Sequence, residues 1–202
     1  ENEKIITIED TLELHLDRIF FYLDIVAMKT NNIASYSDVL VTCMRQNPRW
    51  ILLSEVRSAE AVTAVRNSIS SGHNIISTIH SDKAENVPMR MYSLLESNQD
   101  IDQFLKSIHR YVQIAIHVKG YLSKELGRFQ REIVEVCEFY VDDNNEAQSN
   151  VIYKKFLDGR VTFKNPTKYL RDYLGSQGVT LKENLFIEND NSDVNEEVID
   201  SL

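Results

Sequence analysis

Three short apolar runs, each closing on acidic or polar side chains, constrain this chain more than any other feature. Ile5-Ile6-Thr7-Ile8 ends in Glu9-Asp10, Trp50-Ile51-Leu52-Leu53 in Ser54-Glu55, and the run Ile75 to Ile79 in Thr78 and His80. Continuous apolar character, without alternation, suits a strand buried on both faces of a parallel sheet. Amphipathic helices are expected between the runs. Ser35 to Arg45 offers Ser35 and Ser37 as N-caps, puts Val39, Leu40 and Cys43 on one face, and is stopped by Pro48. Ser58 caps a second helix that ends at Ser71, with Gly72 as the residue beyond it. Ala84 to Leu95 and Asp100 to Tyr111 read as two more, and Arg18 to Met28 as one or two further strands.

The pattern changes after Val112. Val112 to Val118 and Arg131 to Tyr140 alternate, and Val151 to Phe156 and Val161 to Phe163 continue the alternation around Asp158-Gly159. This predicts a half-exposed antiparallel meander, with a hairpin turn at Asp142 to Asn145 and a closing helix over 166–176. The expected fold class is α/β with a mixed sheet.

Composition narrows the function classes. No apolar run is long enough to cross a membrane as a helix, and the first residues lack a signal-peptide pattern. Cys43 and Cys137 provide neither a disulfide framework nor a metal motif, as expected in a reducing, cytoplasmic setting. The 22 Lys and Arg against 31 Asp and Glu give a net charge of −9, which argues against direct nucleic-acid binding. Six of those acids lie in 188–202, so the remaining body carries 25 acids against 22 bases. That tail reads as a solvated terminus.

If the three apolar strands are adjacent and parallel, their carboxyl ends gather Glu9, Asp10, Glu55, Thr78 and His80 at one edge, where open α/β sheets bind ligands. Carboxylates with a hydroxyl and an imidazole suit Mg²⁺ and phosphate oxygens. Taken singly, each acid is better explained as turn polarity, and His73 as a capping or packing group. The tyrosines, Tyr36 and Tyr169 among them, read as packing.

Four stretches resemble the type II/type IV secretion ATPases, the traffic motors of pilus assembly, secretion, tight adherence and conjugation. Ile5 to Glu13 is similar to their aspartate box, Pro48 to Arg57 to their Walker B strand, and Gly72 to His80 to their histidine box. Ser35 to Arg45 is similar to the helix that feeds the Walker B strand. The resemblance implies a RecA-like P-loop NTPase core over 1–120, a C-terminal antiparallel extension with a helix over 121–187, and an acidic tail over 188–202.

It also implies ATP and Mg²⁺ as cofactors. Glu55 would activate water or support Mg²⁺, and Glu9, Asp10 and Glu13 would orient metal and water, with Asp10 as a second metal ligand. His80 would sense the γ-phosphate, beside Thr78 and with His73 in support, and Arg45 or Arg57 would act at a subunit boundary. A homo-hexamer at the cytoplasmic face of the inner membrane, acting on a membrane-embedded platform protein, is the implied assembly. Two departures stand out: Ser54 replaces the Gly that usually precedes the Walker B glutamate, and no G-x-x-x-x-G-K-[ST] occurs. With Glu1 in place of an initiator Met, the expectation is the C-terminal portion of such a motor, poorly able to hydrolyse ATP as it stands. A non-catalytic relative and an unrelated α/β binding domain are the alternatives; the latter would hold Glu9, Glu55 and His80 far apart.

Overall fold

The computed structural model describes residues 3–30, 35–95, 99–124 and 126–181. The acidic tail over 188–202 lies outside them. The apolar runs become β1 (Ile5–Glu9), β3 (Trp50–Glu55) and β4 (Asn74–Thr78), joined by β2 (Ile25–Lys29) in one parallel sheet of order β2-β1-β3-β4. The chain leaves β1 toward β2 and returns to place β3 on the other side of β1. The strand order therefore reverses between β1 and β3, and the carboxyl ends at such a reversal form the crevice where α/β sheets take ligands.

Helix α2 (Tyr36–Met44) starts where Ser35 and Asp38 close a reciprocal capping box, and α3 (Ala59–Ser70) starts where the Ser58 side chain accepts from Ala61 N–H. Beyond α3, Gly72 takes φ 86°, a left-handed value open to glycine at little cost. Both helices pack on the sheet face formed by Ile6, Ile8, Ile51 and Leu53, and their apolar sides complete the main core.

Three expectations change. Arg18 to Met28 holds one strand, confined to its end: Leu16–Ile19 forms a single helical turn (α1), and only Ile25–Lys29 is extended. Because β2 runs parallel to β1 with Ile5 opposite Ile25, the intervening chain must travel back along the strand. It does so with Phe20 to Leu23 exposed. The helix expected from Ala84 begins later, as α4 (Val87–Ser93), because Pro88 fits the first turn of a helix and not its interior.

The third change is the single mixed sheet. After α5 (Ile101–Tyr111), capped by Asp100, the chain builds a separate antiparallel sheet in sequential order. Its strands are β5 (Ile114–Ser123), β6 (Arg128–Val141), β7 (Ala147–Lys155) and β8 (Val161–Phe163). The change of sheet thus falls ahead of Ile114, close to Val112, where the alternating pattern begins. Helix α6 (Lys168–Ser176) closes against β6. A small second core of Ala84, Ala115, Cys137 and Phe139 joins the main one through Val87 and Val112.

Both cysteines are fully buried, and burial pushes the Cys43 thiol up to about 11 and the Cys137 thiol up to about 12. The thiolate is the reactive form, so neither should react with a disulfide reagent at pH 8. The expected titre is near zero in the native chain and two per chain after unfolding, read by absorbance.

His109, buried against Phe139, donates from Nδ1 to the Leu105 carbonyl at 2.7 Å. Burial holds its imidazole below the ordinary 6.5. Its depressed folded value means that the unfolded chain binds the proton more readily. The associated stability is present above the unfolded value and lost as pH falls through 6.5 toward the folded one. Melting curves between pH 7 and 5 should lose that component in His109→Phe.

Candidate functional site

The parallel register brings four strand ends to one edge, and neighbours in the sheet become partners in the site. Asp10, just after β1, forms an ion pair with Arg57, just after β3, across the point where strand order reverses. Glu55, at the end of β3, lies with Oε1 3.3 Å from His80 Nε2, just beyond β4. His80 is 89% exposed at its side chain and Glu55 36%, so this pair faces solvent at the strand-end edge. Of the three residues that an unrelated domain would hold far apart, Glu55 and His80 are in contact.

Glu55 owes its direction to an irregularity. Leu53 pairs with Ser77 and Glu55 with Thr78, so Ser54 is an extra residue on β3, a β-bulge. Ile51 and Leu53 face the helices, and strict alternation would send Glu55 the same way. The bulge shifts it by one, into register with Thr78, which lies on the same face as the exposed Ile76. The helix next door and the following strand both hold this bulge: Tyr36 and Ser54 share a hydroxyl–hydroxyl hydrogen bond of 3.1 Å, and Ser77 Oγ donates to the Ser54 carbonyl at 2.9 Å.

Glu9 is arranged differently from its acidic neighbours. It is 1% exposed, and its carboxylate accepts from Thr7 Oγ1 at 3.1 Å, Glu13 N–H at 2.8 Å and Leu14 N–H at 3.0 Å. One oxygen, Oε2, folds the loop 10–14 back over the strand end through both amides, and the other, Oε1, is taken by Thr7 within β1. Asp10 is left at the crevice, and Glu13 is exposed on the loop.

His73 and Arg45 are not brought to this edge. Both precede their strands, so His73 lies at the amino end of β4, roughly 17 Å of strand from His80. There it meets Ser71, Oγ to Nδ1 2.9 Å. Arg45 caps the end of α2 and is exposed. Sequence reasoning missed Tyr36 and Ser77 as site residues. Tyr36 precedes the first apolar pair of α2 on a helix that feeds β3, a weak signal that packing explained equally well.

A model of the type II/IV secretion system protein family matches residues 1–162. The chain belongs to that family, and its parallel core has the RecA-like fold of the secretion ATPases. An uncharacterised protein of Bacillus anthracis is 29% identical over 175 residues, which are 82% of this chain and 38% of that protein. The type IV secretion system protein VirB11 of Bartonella quintana is 38% identical over 87 residues, 42% of this chain and 24% of its own. Among solved structures, the VirB11 ATPase of Brucella suis, in complex with sulphate, superposes with a TM-score of 0.55 at 25% identity, covering 66% of this chain and 39% of that one. The pilus retraction motor PilT with bound ADP gives 0.54 at 22% identity, over 66% of this chain and 39% of that one, a likeness of fold. The chain thus spans well under half the length of these relatives. No helix among the described residues is long and apolar enough to cross a membrane.

Proposed function

We propose that this chain contributes the water-activating and γ-phosphate-sensing half of a nucleotide site in a motor that couples ATP hydrolysis to protein or filament transport. One observation carries the reading. Asp10, Glu55, Arg57, Thr78 and His80 lie along the carboxyl edge of one parallel sheet, with Asp10 and Arg57 paired across the point where the strand order reverses.

Phosphoryl transfer needs positioned charge more than covalent chemistry, and the paired groups suit it. Glu55 accepts a proton from the attacking water at its carboxylate. His80, within reach of Glu55 and otherwise open to solvent, donates toward the terminal phosphate. Asp10 is held by Arg57, and Glu9 acts through the loop it folds. Glu13 and Thr78 line the same edge as polar wall.

No group of three or more metal-ligating side chains occurs among the described residues. Two carboxylates, Glu55 and Asp10, fit Mg²⁺ all the same, because that ion keeps several waters and is held through substrate phosphates. When bound, Mg²⁺ neutralises charge on the phosphate oxygens. Arg45 and His73, at the far edge, reach a nucleotide only across a subunit boundary, which accords with a ring-shaped homo-oligomer, a hexamer in our reading. The membrane-embedded platform of a secretion or pilus system, at the cytoplasmic face, is the proposed partner. Phosphate release from Mg²⁺·ATP by the full-length protein, wild type against Glu55→Gln, tests the proposal. Turnover that Glu55→Gln leaves untouched would overturn it, and absence of turnover in the wild type would favour a non-catalytic subunit of the same fold.

A further inference from the structure

Ser54 is the bulged residue directly before Glu55, and its side chain is not idle. We infer that Tyr36 is a positioning residue for Glu55, acting through Ser54 as a latch on the β3 bulge. The inference rests on the proposed role of Glu55.

A bulged residue has no ladder partner, so its backbone conformation must be fixed by other groups or it will drift. Here both polar groups of Ser54 beyond its N–H are engaged, the hydroxyl by Tyr36 and the carbonyl by Ser77 Oγ. The neighbouring backbone is tied as well, Val56 N–H donating to the Thr78 carbonyl at 2.7 Å. Tyr36 is itself well anchored. It is the first residue of α2, directly behind the Ser35–Asp38 capping box, and its ring packs against the main core. The phenol thus transmits the position of a rigid helix end to the residue immediately before Glu55. A glycine at 54 could bulge equally well and would offer no hydroxyl to hold. This chain replaces backbone freedom with a side-chain tie, and the carboxylate that follows emerges in register with Thr78 and within 3.3 Å of His80.

The test is steady-state ATP turnover by the full-length protein with Tyr36→Phe, Ser54→Ala and the double variant, alongside Glu55→Gln and thermal melts. Losing one hydrogen bond that matters only for orientation should lower kcat about five- to tenfold. The KM for ATP should not change. The double variant should be no worse than either single one, because one shared interaction is removed. Unchanged kcat with a lowered Tm would reduce the tie to a structural contact and overturn the inference, as would additive losses. If Tyr36→Phe fails to fold, Ser77→Ala removes the second tie and carries the same expected kcat loss at constant KM. Glu55→Gln separates the two levels. Wild-type turnover in that variant would remove the role of Glu55 and the latch with it, whereas lost turnover there beside an unaffected Tyr36→Phe would remove the latch alone.

Discussion

Glu55→Gln in the full-length protein is expected to lower ATP turnover by about 10²- to 10⁴-fold, the range spanned by a positioned general base. Glutamine keeps the shape and one acceptor oxygen, so the contact with His80 can persist as a hydrogen bond. What it loses is the capacity to take a proton from water and the negative charge that supports a divalent cation. The folding cost should be small, within about 0.5 kcal/mol, because the side chain is part-exposed and its partner His80 is almost fully exposed. A large kinetic loss at nearly constant melting temperature is therefore the expected signature. A parallel fall in both quantities would instead make Glu55 a structural acid at a strand end, which is the commoner role of such residues.

That ambiguity is also the limit of what could be read from the amino-acid order. The strands were legible because Trp50 to Leu53 and Ile5 to Ile8 are apolar on both faces, and the helix starts because Ser35, Ser58 and Asp100 each cap through a local hydrogen bond. Such signals are confined to a few neighbouring residues. The convergence of acids at three strand ends could be anticipated only on the condition that the strands were adjacent, and the order β2-β1-β3-β4 is set by long-range pairing that no local pattern encodes. The bulge at Ser54 is invisible for the same reason: it is defined by its register against β4, 23 residues further on. So is the pairing of Asp10 with Arg57, which depends on β1 and β3 being neighbours. The stretch from Arg18 to Met28 misled because it is apolar yet largely exposed up to Leu23, so its hydrophobicity did not report burial.

Glu9 shows most sharply how placement reassigns a residue, and it carries the second large effect. Four residues of the same motif, Glu9, Asp10, Thr11 and Glu13, offer three carboxylates, and composition cannot say which of them faces a nucleotide. The one that is buried is the one whose oxygens are already taken by Thr7 and by the Glu13 and Leu14 amides. Glu9→Ala removes a charged acceptor from three donors. A hydrogen bond to a charged group contributes about 1.5–3 kcal/mol, and water can recover part of the loss at the two exposed loop residues, so a net cost of about 2–4 kcal/mol is expected. Glu9→Gln should cost less, about 1–2 kcal/mol, because its single oxygen can still serve the amide pair while its NH₂ cannot accept from Thr7. Denaturant unfolding of the chain measures both. Hydrogen exchange at Glu13 and Leu14 gives the specific readout: their amides should lose protection in Glu9→Ala and retain part of it in Glu9→Gln. If both variants left stability and those two amides as in the wild type, the carboxylate would be free of the loop and available for direct contact with metal or phosphate. Since Asp10 sits on the loop that Glu9 folds, turnover should fall in the same order as amide protection, Ala below Gln below wild type. A loss of turnover in Glu9→Gln as deep as in Glu55→Gln, with protection intact, would give Glu9 the chemical role that its burial argues against.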